Sequence, residues 1–295
     1  MTRRDRGIVL VAVLLAVTVM SVMVVAVSAL VRSGISSQRV EAKVLATRYA
    51  LLSGLEGAEA LILSTPPEDR VFLDATAEII DVGNGVRLSV SIRDAAGLAD
   101  INRSDLTLIE TLLADKLEPM AAKNITGRIA NWREQAEAGK DLGMGTTAAN
   151  GTAQEVLGGS KAPIIFQAVE QLLAMTDSEE AQPLAAYLTV FNPTGQLNPL
   201  AAPEEILAAV PGMTGADLRL IKDVRKSRAW QADLGFKGLL ERLKPFLAVG
   251  PPSVFIVEVE VQDGLGLIRQ SRAGATIQLT VDRPQPFRTL WISDL

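Results

Sequence analysis

An uninterrupted apolar run near the N-terminus constrains this chain more than any other feature. Residues 8–31 are apolar except for Thr18, Ser21 and Ser28, contain no charge, and follow a short segment with three arginines. A helix of this length extends about 36 Å, whereas the apolar core of a bilayer is about 30 Å thick. Because basic flanks stay in the cytoplasm, the pattern predicts one transmembrane helix with a cytoplasmic N-terminus and the remaining chain outside the cytoplasm.

Three interpretations of this segment are open. A cleaved secretory signal would use Val27-Ser28-Ala29, but such signals have apolar cores of only about 7–15 residues. A plain signal anchor would keep the whole segment. A type IV prepilin leader is a short basic peptide that ends in glycine directly before the apolar helix. The sequence Arg6-Gly7-Ile8 has this arrangement and favours the third interpretation.

Composition excludes several classes of function. The 295 residues include no histidine and no cysteine, which removes the usual zinc, thiol and imidazole chemistry. The net charge of −5 argues against broad nucleic-acid binding, which needs a basic surface. No serine–lysine, paired-carboxylate or phosphate-loop pattern stands out, so we expect no enzyme and retain an extracytoplasmic enzyme or sensor only as a weak third option.

The helix is predicted to continue well beyond the apolar run. Apolar residues spaced by four and seven positions share one helical face: Val40, Val44, Leu51, Leu55 and Ile62. Pro66-Pro67 ends the pattern, because proline lacks a donor and disfavours helix in the residue before it. The prediction is one helix of about 55 residues.

Alternating apolar and polar residues predict a small antiparallel sheet with one buried face. The alternation occurs at 86–92, 255–261 and 275–281, and Leu290-Trp291-Ile292 can form an edge. Glycines near 83–85 and 264–266 supply turns.

Between the first and the second of these predicted strands, the spacing of apolar residues is helical. The predicted fold is therefore α+β: a long pilin-like N-terminal helix and a small antiparallel sheet, interrupted by a large all-helical insertion of SAM-like or helix-hairpin type. The regions are a leader at 1–7, a transmembrane part at 8–31, a helix extension with the first sheet segment at 32–95, the insertion at 96–250, and C-terminal strands at 251–295.

One segment of the insertion suggests a second function. Residues 210–215 have the glycine turn of a helix-hairpin-helix, in which backbone N–H groups bind a DNA phosphate. A basic face follows at Lys222, Arg225, Lys226 and Arg228, but the turn itself has no basic residue. The alternatives are a DNA-uptake protein anchored in the membrane and a hairpin that serves only packing, of which packing is favoured.

An acidic cluster is the one candidate metal site that the residues themselves suggest. Asp177, Glu179 and Glu180 are close in sequence and carry the oxygen ligands that calcium prefers. The cluster lacks the spacing and glycine of an EF-hand loop, so a solvated acidic surface is the favoured interpretation.

The order of these features resembles one family, the minor pseudopilin K of type II secretion systems. The resemblance covers nearly the whole chain and includes the leader ending at Gly7, the helical insertion and the stretch 187–207. Positions that match the family pattern are Gly195, Asn198, Ala202, Pro203, Glu205, Leu207, Pro211 and Gly212.

The lack of a glutamate near the start of the helix fits this resemblance. Most pilin-like subunits carry glutamate at the fifth mature position, which is Ala12 when counted from Ile8. A carboxylate in lipid is costly unless it is paired, and in the filament it pairs with the N-terminal amine of a neighbour. A subunit at the tip has no neighbour above it, so Ala12 is the residue expected there.

The resemblance implies a specific life cycle. Prepilin peptidase would cleave between Gly7 and Ile8 and leave an amine at Ile8 that is open to methylation. The protein would span the bacterial inner membrane once, with most of the chain in the periplasm. It would join I- and J-type minor pseudopilins and the major pseudopilin, and initiate or cap a pseudopilus that exports folded proteins across the outer membrane. No nucleic-acid partner is expected.

The resemblance also implies two calcium ions in the insertion. The family's acidic stretch after a tryptophan corresponds here to Trp132 and Glu134, with several carboxylates missing. Glu134 therefore joins Asp177, Glu179 and Glu180 as a candidate ligand, and no other cofactor is predicted.

Overall fold

The protein is described by a computed structural model that covers residues 3–83, 85–141, 166, 168–173, 184, 186–264, 267–268, 270–280 and 286–293. At 3–12, 29–34, 36, 137–141, 170 and 173 it describes the backbone only.

The N-terminal helix α1 spans Arg3–Ser64, 62 residues. It ends where the sequence predicted, because Pro66 and Pro67 follow and the Thr65 N–H and hydroxyl both donate to the Leu61 carbonyl oxygen, at 3.0 and 2.8 Å. Its last turns lie across the sheet.

Among the residues that the structure describes, no helix is both long enough and apolar enough to cross a membrane. The transmembrane segment predicted over 8–31 is therefore not supported by the structure.

Five strands form an antiparallel sheet in the order β1-β2-β5-β6-β7. They are β1 (Asp74–Asp81), β2 (Arg87–Asp94), β5 (Val254–Asp263), β6 (Arg272–Leu279) and β7 (Phe287–Ser293). The predictions for β2, β5 and β6 and for the edge at Leu290-Trp291-Ile292 are confirmed. Strand β1 has no counterpart among the predicted alternations.

The buried face of the sheet packs on α1. Leu88, Val90, Val257 and Val259 join Leu51, Ala58 and Ile62 of the helix in one apolar core. Contact is closest at Gly54, where a Cβ atom would lie 2.5 Å from Val259 Cγ1. A residue with no side chain is required there for helix and sheet to meet.

The predicted apolar face of the helix is buried only in its C-terminal half. Leu51 and Ile62 are buried, but Val40 and Val44 are 61% and 50% exposed. The sheet reaches α1 near Thr47, whose hydroxyl accepts the Ile268 N–H at 2.9 Å. Because Val40 and Val44 lie more than half a turn before this point, no strand of the described part of the chain covers them.

The chain between β2 and β5 is mainly helical and has its own core. Its helices are α2 (Leu106–Lys116), α3 (Pro119–Asp141), α4 (Val169–Leu173), α5 (Glu204–Ala208), α6 (Gly215–Ser227) and α7 (Leu234–Arg242). Two short parallel strands, β3 (Ala99–Asp100) and β4 (Leu188–Thr189), lie among them. The apolar residues of this region form a cluster separate from that under α1.

Candidate assembly surface

Most of the exposed large apolar side chains that the structure describes lie on α1, nearly all of them before the sheet reaches the helix near Thr47. From residue 13 to residue 49 its large apolar side chains are about half to two-thirds exposed: Val13, Leu14, Leu15, Val17, Val19, Met20, Val22, Met23, Val24, Val25, Val27, Ile35, Val40, Val44, Leu45 and Tyr49. Exposed apolar surface of this extent marks a contact with protein or lipid. We call this set of residues the α1 surface.

Two polar side chains in the most apolar part of α1 are satisfied within the helix itself. The Thr18 hydroxyl donates to the Leu14 carbonyl oxygen at 2.5 Å, and the Ser21 hydroxyl donates to that of Val17 at 2.8 Å. Such bonds back to the preceding turn leave no unmet donor on the outside of a helix. At these two positions a partner can therefore pack on α1 without supplying a hydrogen bond.

The predicted processing residues lie within α1. Gly7, Ile8 and Ala12 are part of its continuous helical backbone. Nothing in the structure tests cleavage, methylation or the meaning of Ala12, and these remain predictions.

The predicted calcium ligands are not brought together within the described residues. Glu134 lies exposed on α3, whereas Asp177, Glu179 and Glu180 fall outside the described part of the chain. Calcium needs six to eight oxygen ligands, and the described residues include no group of three acidic side chains that could hold a metal ion. The described residues thus do not fit calcium.

The glycine turn of the predicted hairpin connects α5 to α6. Gly212 has a φ of +80°, which a residue without a Cβ adopts at little cost. At the start of α6, Thr214 and Asp217 form a reciprocal capping box. The Asp217 carboxylate also accepts a 2.6 Å bond from Arg242, whose other nitrogen donates to the Gly212 carbonyl oxygen.

The electrostatics of this turn are unfavourable for a phosphate. Partial burial raises the pKa of Asp217, but the bonds from Thr214 and Arg242 outweigh it and hold the pKa below its ordinary value. The carboxylate is thus ionised at the helix N-terminus, where an incoming phosphate would have to bind. The arrangement favours the packing interpretation of the hairpin over DNA binding.

A buried polar junction connects the sheet to the helical region. Asp94, at the end of β2, accepts the Ala96 N–H at 3.0 Å and the Asn198 side-chain amide at 2.8 Å. Asn198 also donates to the Val71 carbonyl oxygen at 2.9 Å. One amide therefore links the segment after α1, the sheet and the helical region, which gives Asn198 of the family pattern a physical role.

A second buried carboxylate organises the helical region. Asp100 accepts backbone N–H groups from Asn102, Arg103 and Asn192 at 2.7, 3.0 and 2.9 Å. Burial raises the pKa of Asp100 to about 6, although Arg103 and these N–H groups oppose the shift. Burial likewise raises the pKa of Asp94 to about 6, against the bonds from Asn198 and Ala96.

Asp94 is not among the residues predicted to be functional, although the sequence contains a signal for it. Residues 88, 90 and 92 occupy the buried face of β2, so the next position on that face is 94. A carboxylate at an inward position is costly unless it is hydrogen-bonded. Its presence predicts a buried partner such as Asn198.

Comparison with known proteins gives a fold relationship. No protein-family model matches the chain, and no curated protein matches it. Among solved structures, the chain is similar to one chain of the GspK–GspI–GspJ complex from the type 2 secretion system of enterotoxigenic Escherichia coli. The match has a TM-score of 0.50 and 17% identity and covers 88% of this chain and 98% of the other. At this identity the match shows the fold, and at that level it confirms the resemblance found in the sequence.

Proposed function

We propose that this protein is a minor pseudopilin of the K type, a structural subunit of a type II secretion pseudopilus. The observation that carries the proposal is the fold shared over 88% of the chain with a member of a GspK–GspI–GspJ complex. The α1 surface supports it, because a subunit that assembles through its N-terminal helix must leave that helix uncovered in the isolated chain. The role needs no catalytic group.

In this proposal α1 is the assembly element. Its apolar side chains pack against the corresponding helices of other pilin-like subunits, I- and J-type pseudopilins first. Before assembly the run 8–31 holds the precursor in the inner membrane, with the remaining chain in the periplasm; the charge-free sequence and its basic flank support this step. The same apolar residues serve both states.

The helical region between β2 and β5 is proposed as a cap. It forms a core of its own, and the buried Asp94–Asn198 bond fixes it to the sheet. A body of this size at one end of the subunit blocks stacking of a further subunit above it. Together with Ala12, this supports a tip position, where the protein starts or ends pseudopilus assembly for the export of folded proteins.

Processing is the first test. Prepilin peptidase is proposed to cut between Gly7 and Ile8, so Gly7→Leu should leave an uncut precursor in membranes that contain the peptidase. N-terminal sequencing of the wild-type protein should begin at Ile8, with or without a methyl group. A wild-type protein that still begins at Met1 would contradict the processing step.

Assembly is the second test. The full chain in detergent should co-purify with I- and J-type pseudopilins at defined stoichiometry. The DNA-uptake alternative predicts retention of duplex DNA that falls steeply with salt. Salt-dependent DNA retention together with no pseudopilin binding would favour DNA uptake over the pseudopilin function.

A further inference from the structure

A cleft lies between the helical region and the face of the sheet that is turned away from α1. Its volume is about 200 Å³, and its apolar lining includes Leu98, Leu188, Phe191 and Ile256. Ile256 packs against the core of the helical region, not against the core under α1. Pockets that hold drug-sized ligands measure roughly 300–1,000 Å³, so this smaller cleft suits a ligand about the size of one amino acid.

Two opposite charges line this cleft without neutralising each other. Arg93 of β2 and Glu258 of β5 both border it. They are diagonal neighbours, because Arg93 is opposite Ile256 and Glu258 is opposite Ser91, and diagonal neighbours on one face of a sheet lie about 7–8 Å apart. Within the described part of the chain, neither side chain forms an ion pair or a hydrogen bond. A guanidinium and a carboxylate are therefore both available to a ligand.

Arg93 is the more unusual of the two, because its side chain is partly buried. Burial lowers the pKa of Arg93, although the carboxylates of Glu258 and Asp74 oppose the shift. Asp74 is engaged elsewhere, since its carboxylate accepts the Thr76 N–H and hydroxyl at 3.0 and 2.6 Å. A guanidinium that loses water is costly unless another acceptor replaces it, and its planar fork matches a carboxylate. These contacts favour a carboxylate ligand at Arg93.

We propose that the cleft binds a terminal amino-acid unit with an apolar side chain, a function separate from assembly through α1. The α-carboxylate of this unit accepts hydrogen bonds from Arg93, and its α-nitrogen donates to Glu258. Its side chain packs on the apolar lining of the cleft. The C-terminal residue of a peptide and a free apolar amino acid share this chemistry. Trp291, which is 44% exposed, also borders the cleft and adds apolar surface for the bound unit.

The pair of charges argues against other classes of ligand. A phosphate or sulfate would bring two negative charges toward Glu258, which repels them. A calcium ion would meet one carboxylate and a repelling guanidinium, far fewer than the six to eight oxygen ligands that it needs. A nucleic acid requires several cations, whereas Arg93 is the one basic side chain among the described residues that line the cleft. A ligand with both a carboxylate and an N–H donor satisfies both charged side chains.

Calorimetric titration of the full chain in detergent tests this site with three probes: acetyl-Ala-Ala-Leu, the same peptide with a C-terminal amide, and free leucine. The peptide with a free carboxylate should bind saturably. The amide should bind at least about tenfold more weakly, because it offers Arg93 no negative charge. Tighter binding of the peptide than of leucine identifies a chain end as the ligand, the reverse identifies a free amino acid, and both results support the proposal. No saturable binding of either, or equal binding of peptide and amide, overturns it.

Matched variants assign the binding to the cleft. Arg93→Gln should weaken binding of the free-carboxylate peptide by at least about tenfold. Arg272→Gln should leave it unchanged, because Arg272 pairs with Glu260 at 3.1 Å and does not line the cleft. Equal binding by these two variants overturns the proposal.

A second variant keeps the test decisive if Arg93→Gln fails to fold, which thermal unfolding would show. Ser91→Phe fills the cleft from the sheet while Arg93 stays in place, and an aromatic residue suits a strand. It should also weaken peptide binding by at least about tenfold, and unchanged binding overturns the proposal. Arg93→Gln should still co-purify with I- and J-type pseudopilins, so loss of peptide binding and loss of assembly are told apart.

Discussion

At the scale of single residues, the most informative groups are the two buried carboxylates. Asp94 and Asp100 are 2% and 0% exposed, and each accepts hydrogen bonds within the described part of the chain. Burial raises the pKa of both to about 6. Each therefore contributes to a dependence of stability on pH, because the ordinary pKa of an aspartate, which applies in the unfolded chain, is near 3.8.

The sign of this dependence is fixed by the direction of the shift. Between pH 4 and 6 the folded protein holds protons on Asp94 and Asp100 that the unfolded chain has released, so the free energy of unfolding falls as pH rises and is level above about pH 6. Asp94→Asn removes one of the two titrations. It should reduce that fall by about 3 kcal/mol, from about 1.4 kcal/mol per pKa unit. Urea unfolding at intervals between pH 4 and 7 measures how the free energy of unfolding changes with pH in the wild-type protein and in Asp94→Asn.

Asp217→Asn is the matched control for this experiment. The pKa of Asp217 is lowered, not raised, so its contribution is present above the ordinary aspartate pKa and is lost only in more acidic solution. The slope between pH 4 and 6 should therefore match that of the wild-type protein. An Asp94→Asn slope equal to that of the wild type would show that Asp94 does not titrate in this window.

At the scale of secondary-structure elements, the contact between α1 and the sheet depends on one glycine. Gly54→Ala should destabilise the protein by about 1–3 kcal/mol, because the added methyl meets Val259 Cγ1 at 2.5 Å and Leu88 Cδ1 at 2.9 Å. Gly57→Ala is the control one turn later. Its nearest neighbour is Ile80 Cδ1 at 3.6 Å, so the higher helix propensity of alanine should stabilise by up to about 1 kcal/mol. Thermal unfolding of the two variants gives the comparison, and equal effects would contradict the packing.

The elements that sequence could predict are those whose burial alternates. In β2 and β5 every second residue is buried, and the apolar residues stand at those positions. Strand β1 is largely exposed at the sheet edge, so tertiary pairing with β2, not its own sequence pattern, fixes its structure. Helical spacing likewise placed Val40 and Val44 on the face of Leu51 but contained no information about where the sheet stops. The Asp94–Asn198 bond joins positions 104 residues apart, a distance that no local pattern spans.

At the scale of the whole molecule, the structure separates a compact body from an uncovered helix. The sheet and the helical region have their own cores, whereas the α1 surface lies before the sheet. A change on the α1 surface should therefore alter association without altering the fold of the body. This separation is what a subunit needs if it is first anchored and then assembled.

Val25→Glu tests the separation directly. A carboxylate at this 68% exposed position would have to be buried unpaired in a helix bundle, at a cost of several kcal/mol, so binding to I- and J-type pseudopilins should fall by at least about 100-fold. Leu234→Glu is the matched control, because Leu234 is 80% exposed at the start of α7, where a negative charge suits the helix dipole. Co-purification from detergent measures binding, and thermal unfolding should show the same midpoint for both variants. If Val25→Glu bound its partners as tightly as Leu234→Glu does, assembly would have to proceed through a surface other than the α1 surface. An unpaired carboxylate inside an apolar helix bundle would otherwise weaken the association.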